Sequence, residues 1–274
     1  MSHDFNQQII DEFRANQGRV GGPFEGARLL LLTTVGAKTG VRHTTPLGYL
    51  PDGGERIVVI ASAGGSPRHP AWYHNLRANP EVTVEDGTFT YPAKAIVLEG
   101  EERDRLFARA VEQDPGWGEY EVRSGRTLPV VALVAVNHGP PAGRMGDVLR
   151  QIHDAFRREL ALIRAEVAAA GPRLGAQLRI NCLTMCQGLH IHHEREDAGM
   201  FPALADRHPE LAPAIERLRA EHVVVQQIVA RLQELLADDD VAPEELRREV
   251  DRLTGELEAH LDYEEEQLVP LLNG

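Results

Sequence analysis

HHEREDAGMFPAL, residues 192–204, and HLDYEEEQLVPLL, residues 260–272, are one thirteen-residue pattern written twice. The copies agree at His192/His260, Glu196/Glu264, Pro202/Pro270 and Leu204/Leu272. A His and a carboxylate four positions apart lie on one face of a helix, one turn above the other. The proline six residues after each carboxylate predicts that the helix ends there. Upstream of each copy, an apolar-periodic segment carries a further histidine, His153 in IHDAFRREL and His222 in EHVVVQQIV. The second half is therefore a helix-pair unit used twice, each unit offering His and then His-x-x-x-Glu.

Leu149, Ile152, Phe156, Leu160, Ile163 and Val167 give the first helix its stripe, with His153 on it. The second helix is expected from Pro172 to Phe201. The third covers 209–236 and includes Leu218, His222, Val225, Ile228 and Leu232. Asp238-Asp239-Asp240 marks a turn, and Pro243 starts a fourth helix with Val250, Leu253, Leu257, His260, Glu264 and Leu268 facing inward. Four amphipathic helices on short turns predict an all-α up-and-down bundle. Two carboxylates buried there without a cation would cost several kcal/mol each, on the order of the usual desolvation penalty. His153, His192, Glu196, His222, His260 and Glu264 therefore point to a pair of iron ions bridged by the two glutamates.

The first half reads differently. Phe5, Ile9, Ile10 and Phe13 are helically spaced over 4–17, and the glycine-rich GRVGGPFEG follows. Segments 27–35 (ARLLLLTTV), 56–61 (RIVVIA) and 129–136 (PVVALVAV) are expected as buried strands, and 44–50 and 82–85 as half-buried ones. Asp52-Gly53-Gly54 and Asp86-Gly87 are hairpin-turn sequences. Helices are expected at 70–78 and 101–113. Strands following strands through short turns predict an antiparallel sheet curled into a barrel, so the whole chain is α+β. The expected division is 1–138 for the barrel, 139–146 for a linker holding Pro140-Pro141, and 147–274 for the bundle.

Composition narrows the function. At 274 residues the chain has room for two ordinary domains, and its hydrophobic content of 42% is globular. No apolar run reaches the ~18–20 residues needed to span a bilayer, and MSHDFNQQII lacks the pattern of a signal peptide. Cys182 and Cys186 are one helical turn apart and suit reduced thiols, so a cytoplasmic protein is expected. The net charge of −13 is uneven: residues 147–274 carry 14 basic and 25 acidic groups and no lysine. No basic face for nucleic acid is expected in either half.

LLLLTTVGAKTG (29–40), TTPLGY (44–49), HPAWYHNLRANPEVTVE (69–85) and RTLPVV (126–131) resemble, in this order, the deazaflavin-dependent nitroreductase and quinone reductase family. The resemblance covers residues 5–136. It implies a split β-barrel and coenzyme F-420, an 8-hydroxy-5-deazaflavin with a phosphate and an oligoglutamate tail. Such a tail needs cations and free N–H groups, and GAKTGVR offers both after a strand. By this resemblance Lys38, Thr39, Gly40, Arg42, His43 and Pro46 bind the coenzyme, and Ala61, Ser62, Gly64 and Gly65 approach its rings. Trp72 and Tyr73 would wall the rings, and Asn75 would fix the loop. The family's arginine five residues after the lysine is replaced by His43, with Arg42 one position earlier. Trp117 and Tyr120 match the aromatic residues of the acceptor pocket.

Residues 147–272 resemble hemerythrin-like HHE domains, whose H-x-x-x-E-x-x-x-x-x-P signature stands in both copies. That resemblance assigns iron to His153, His192, Glu196, His222, His260 and Glu264. Oxygen-carrying members have another histidine one turn after His222, where this chain has Gln226. His193 with Asp197 is a rival register, and His190 is a spare. Two functions remain open. One is an oxidoreductase passing hydride from reduced F-420 to a quinone or nitro compound, with a diiron site reducing or sensing dioxygen, peroxide or nitric oxide. The other is an iron-binding sensor module sharing a chain with an independent reductase.

Overall fold

A computed structural model describes residues 3–54, 56–136, 143–170, 174–238 and 241–274. The chain divides into two compact units, Met1–Pro141 with Gly175–Gln177, and Ala142–Leu174 with Leu178–Gly274. The first four residues of the expected linker, 139–142, lie outside the described residues. Met145 and Gly146 at its other end already belong to a helix.

In the first unit six antiparallel strands close a barrel in the order β1-β2-β3-β6-β5-β4. They are β1 Leu29–Val35, β2 Arg42–Pro51, β3 Arg56–Ile60, β4 Glu81–Glu85, β5 Thr90–Leu98 and β6 Val130–Ala135. The unbroken leucine run of β1 is buried on both faces. Leu30 and Leu32 join the interior with Val59, Val84, Val131 and Leu133, whereas Leu29 and Leu31 pack beneath Ile9, Ile10 and Phe13 of α1, His3–Ala15. Two elements escape the sequence reading. Strand β5 alternates buried and outward residues, and Pro92 and Lys94 on it interrupt any apolar run. Helix α4, Gly116–Ser124, contains two glycines that weaken its helical signature. It joins α3, Gly100–Gln113, whose Leu106 and Phe107 pack with Val58, Ile60 and Val130 in a second cluster of the barrel unit. Helix α2, Ala71–Ala78, inserts Trp72, Tyr73 and Leu76 into the barrel interior.

The second unit has four long helical stretches, α5 Met145–Ala169, α6 Ala176–Arg195, α8 Ala212–Ala237 and α9 Pro243–Leu272, sharing one core. Neighbours run antiparallel: Gly146 at the start of α5 donates to Asn273 just past the end of α9, and Arg231 late in α8 pairs with Glu245 early in α9. The expected start of α6 at Pro172 falls outside the described residues. Its expected end at Phe201, before Pro202, is corrected. After Arg195 the chain makes a single π-turn, Glu196–Met200, and continues as α7, Phe201–Arg207. In a π register Pro202 would owe an N–H to the carbonyl of Asp197. Arg219 supplies it instead, donating to that oxygen at 3.0 Å. In the second copy Pro270 lies inside α9, which runs on to Leu272, so that proline costs one backbone bond near a helix end.

One ion pair of the first unit is deeply buried. Arg109 Nη2 meets Asp52 Oδ1 at 2.7 Å, with the two side chains 7% and 6% exposed. Asp52 also accepts from Arg56 Nε at 2.6 Å, so it stays paired without Arg109, whereas loss of Asp52 leaves the Arg109 guanidinium buried with no carboxylate among the described residues, at a cost of about 3–5 kcal/mol. Both tryptophans, Trp72 and Trp117, belong to this unit and report its unfolding selectively. Asp52→Ala should therefore lower the guanidinium midpoint followed by tryptophan fluorescence, by the equivalent of about 3 kcal/mol. A change below about 1 kcal/mol would mean that water screens the pair.

Candidate functional site

A groove of ≈ 950 Å³ opens on the first unit where the β1–β2 loop meets α1 and α2. Lys38, Thr39, Arg42, His43, Trp72 and Asn75 line it, six of the residues expected to bind the coenzyme. The loop itself is built to hold still. Gly40 closes onto the carbonyl of Gly36 at 2.9 Å with a φ of 68°. Buried Asn75 accepts the N–H of Ala37 at 3.1 Å and donates to Thr34 Oγ1 at 3.1 Å. Arg42 is partly committed, donating to Thr83 Oγ1 at 2.9 Å. Lys38 is exposed and makes no hydrogen bond or ion pair among the described residues, so its ammonium is available to an anion.

The other expected residues lie around this groove without lining it. Pro46 is on β2 opposite Leu31. Ala61 and Tyr73 belong to the barrel interior. Ser62, Gly64 and Gly65 form the turn after β3, against which α4 packs. Trp117 and Tyr120 of α4 lie ring edge to ring face, 6.0 Å apart, against the outer core rather than in the groove.

The turn is held by Arg126, the first residue of the RTLPVV stretch, to which the sequence assigns no function. Arg126 donates to the carbonyls of Ser66 at 3.1 Å, Ala61 at 2.9 Å and Ser62 at 3.1 Å, and meets His69 Nδ1 at 2.9 Å. Arg123 reaches the carbonyl of Gly64 from α4. Gly65, at φ 78°, has its missing Cβ position against this guanidinium, so only glycine lets the turn approach so closely. Burial and the neighbouring Arg126 lower the pKa of His69.

In the second unit the helices bring together all six expected ligands and one more. His153, His192, Glu196 and Glu264 form one group of facing ligand atoms, and His193, His222 and His260 form another. Each glutamate spans the two groups. Glu196 Oε1 is 3.0 Å from His192 and its Oε2 is 3.5 Å from His222; Glu264 Oε2 lies 3.4 Å from His153 and 3.8 Å from His260. Of the two registers, both residues of His192/Glu196 belong to these groups, and of His193/Asp197 only the histidine does. Adjacent helical residues are only about 100° apart around the axis, so His192 and His193 both reach the centre. The ring of His193 stacks on that of His222 at 4.1 Å. Asp197 stays out of both groups. His190 is exposed and pairs with Glu194 at 3.4 Å.

Three carboxylates stand behind the ligand histidines. His153 Nδ1 meets Glu265 at 2.9 Å, His222 Nδ1 meets Asp197 at 3.1 Å, and His260 Nδ1 meets Glu221 at 3.0 Å. A carboxylate only accepts, so each Nδ1 carries the proton and each Nε2 turns its lone pair inward. All five inward Nε2 atoms and all four oxygens of Glu196 and Glu264 are buried without a hydrogen-bond partner. With protein alone around it, Glu196 has its pKa pushed up to about 10 by burial and by the charge of Glu264. Burial, with the neighbouring imidazoles, holds His192 and His193 far below the usual histidine range. Such a set of nitrogen and oxygen donors, with no thiolate in it, fits two divalent or trivalent cations of the iron type.

Against known families, residues 6–135 match the model described as F420H(2)-dependent quinone reductase, and residues 144–272 match the hemerythrin HHE cation binding domain. The quinone reductase Rv1261c of Mycobacterium tuberculosis, and its counterpart in Mycobacterium bovis, are 40% identical over 125 residues, covering 44% of this chain and 83% of the relative. A solved reductase of the same coenzyme, FDR-A, is 41% identical, with 39% of this chain and 93% of that chain covered and a TM-score of 0.36. The chain belongs to the F-420-dependent quinone reductase family through its first unit, and its second unit carries a hemerythrin HHE domain.

Histidines held from behind lose metal affinity when the holder is removed, typically about 10–100-fold. Asp197→Ala should weaken iron binding by about this factor in competition with a chelator while helix content stays unchanged. An unaltered affinity would reduce Asp197 to a surface partner of Arg219.

Proposed function

We propose that the chain is a two-site oxidoreductase. Its first unit takes hydride from reduced F-420 to a quinone, with nitro compounds as further acceptors. Its second unit holds two irons that meet dioxygen, peroxide or nitric oxide. For the second unit the carrying observation is the nine inward donor atoms without partners, with two carboxylates each placed between the two histidine groups. For the first it is the unpaired Lys38 on a rigid loop at the rim of a large groove in a family of F-420 enzymes.

Bound F-420 supplies a hydride donor, and the protein supplies placement. Lys38 and the backbone N–H groups of the 36–41 loop receive the anionic tail. Asn75 keeps that loop in register with β1. Trp72 gives the groove an apolar wall, and the Arg126 clamp holds the turn carrying Ser62, Gly64 and Gly65. Iron supplies one-electron chemistry in the bundle. There His153, His192 and His193, His222, His260 would hold one ion each side of Glu196 and Glu264. Gln226 stands where a fifth histidine is expected in oxygen carriers, and His193 restores the count from another helix.

Two experiments test the two halves separately. Metal analysis of the purified chain should give two irons, and His260→Ala should fall to one or less. One zinc, or no metal at all, would refute the diiron reading. In equilibrium titration the chain should bind F-420 in preference to FMN. Lys38→Ala should weaken the former by about tenfold, the equivalent of one charge-assisted contact. Tight FMN binding with no measurable affinity for the deazaflavin would overturn the coenzyme assignment.

A further inference from the structure

The ligand atoms of the candidate metal centre are buried, but two of its histidines form part of a groove wall. A groove of ≈ 650 Å³ runs between α6 and α8, and His193 and His222 form its inner end. A diatomic gas needs only about the ~30 Å³ of a water molecule. A groove of this size is in the range of about 300–1,000 Å³ used for organic ligands. Leu183, Val223 and Val229 give it apolar walls, and Gln187, Gln226 and Gln233 place three amides along it. No lysine or arginine lines it, whereas Glu194 and Asp197 do, so an anionic occupant is disfavoured.

We propose that this groove binds a neutral quinone or its hydroquinone, with the ring edge toward His193 and His222. A primary amide both donates and accepts, so the same three glutamines satisfy the carbonyl oxygens of a quinone and the hydroxyls of the reduced form. Few other ligand classes exchange acceptor for donor at two opposite edges of an apolar ring. Gln226 then has a function of its own: it occupies a groove position one turn from His222, where a further histidine would have closed the approach to the centre. The identity of the occupant rests on the reading of the first unit as a quinone reductase; the groove does not.

The probe is menadione, a neutral two-ring quinone, titrated calorimetrically into the full-length iron-loaded chain. Two molecules should bind per chain. Ala230→Trp fills the groove from an exposed position of α8 and should leave one, with iron content and F-420-dependent menadione reduction unchanged. Gln226→Leu, which keeps the bulk and removes the amide, should weaken the same site at least about tenfold. Menadione should also shift the ferric absorption of the wild type and not that of Ala230→Trp. A titration identical in wild type and both variants overturns the groove proposal and leaves the reductase reading standing. No binding and no reduction anywhere overturns both.

Discussion

Two carboxylates and five imidazoles inside one helical bundle set the terms for the rest of the second unit. Glu196 is 3% exposed and Glu264 is fully buried, and neither has an arginine or lysine against its oxygens. A burial of this kind costs several kcal/mol per charge unless a cation is present, on the order of the whole net stability of a domain. The leucine and valine core around Leu160, Leu189, Ile228 and Leu257 can hold the helices together. It cannot by itself explain why those particular positions are polar. A pair of cations would explain all of them at once, because each orphaned atom would become a ligand.

The same constraint reaches outward from the ligands. Glu265, Asp197 and Glu221 each fix one imidazole, and they are themselves held. Arg157 bridges Glu265 at 2.8 Å and Asp262 at 2.7 Å, and Arg217 pairs with Glu221 at 2.7 Å. Burial works against a charged Glu265, but its hydrogen bonds from His153 and Arg157 outweigh it and lower its pKa. The π-turn after Arg195 belongs to this arrangement. It resets the helical phase directly after Glu196, so Phe201 and Leu204 turn into a core of their own while His192, His193 and Glu196 keep facing the centre. Arg219 repairs the backbone at that turn and lies beside Asp197, so the helix irregularity and the support of His222 share one guanidinium.

Much of this was legible because of repetition. One His-x-x-x-Glu on a helix is ambiguous; the second copy and the two upstream histidines specify which faces converge, and all six residues meet. His193 was harder to place, since a neighbour 100° round the axis can face either the centre or the next helix, and only packing decides. In the first unit the strands that are apolar runs were readable and β5 was not, because it alternates and carries Pro92 and Lys94 outward. Arg126 stands in RTLPVV with nothing in the sequence to give it a role. Apart from His69 its partners are backbone carbonyls from residues 61 to 68, and nothing in a sequence marks a carbonyl as an acceptor awaiting a side chain. Trp117 and Tyr120 show the converse: the sequence offers them as pocket aromatics without predicting helix α4, which carries their rings onto the outer core.

Charge separates what each unit can accept. The groove of the first unit carries Lys38, Arg42 and His43 and no carboxylate among its lining residues. The second unit has no lysine, and its groove presents Glu194 and Asp197. A coenzyme with a phosphate and a glutamate tail therefore suits the first surface and is repelled by the second, over the ~8–10 Å that physiological salt leaves unscreened. F-420 also delivers its electrons as a hydride pair, whereas iron takes them singly. Any exchange between the two chemistries then requires a carrier that is neutral, accepts a hydride and a proton, and gives up electrons one at a time. A quinone has all three properties. Charge and electron count, two independent constraints, thus select the same class of molecule that the three glutamines of the α6–α8 groove would recognise.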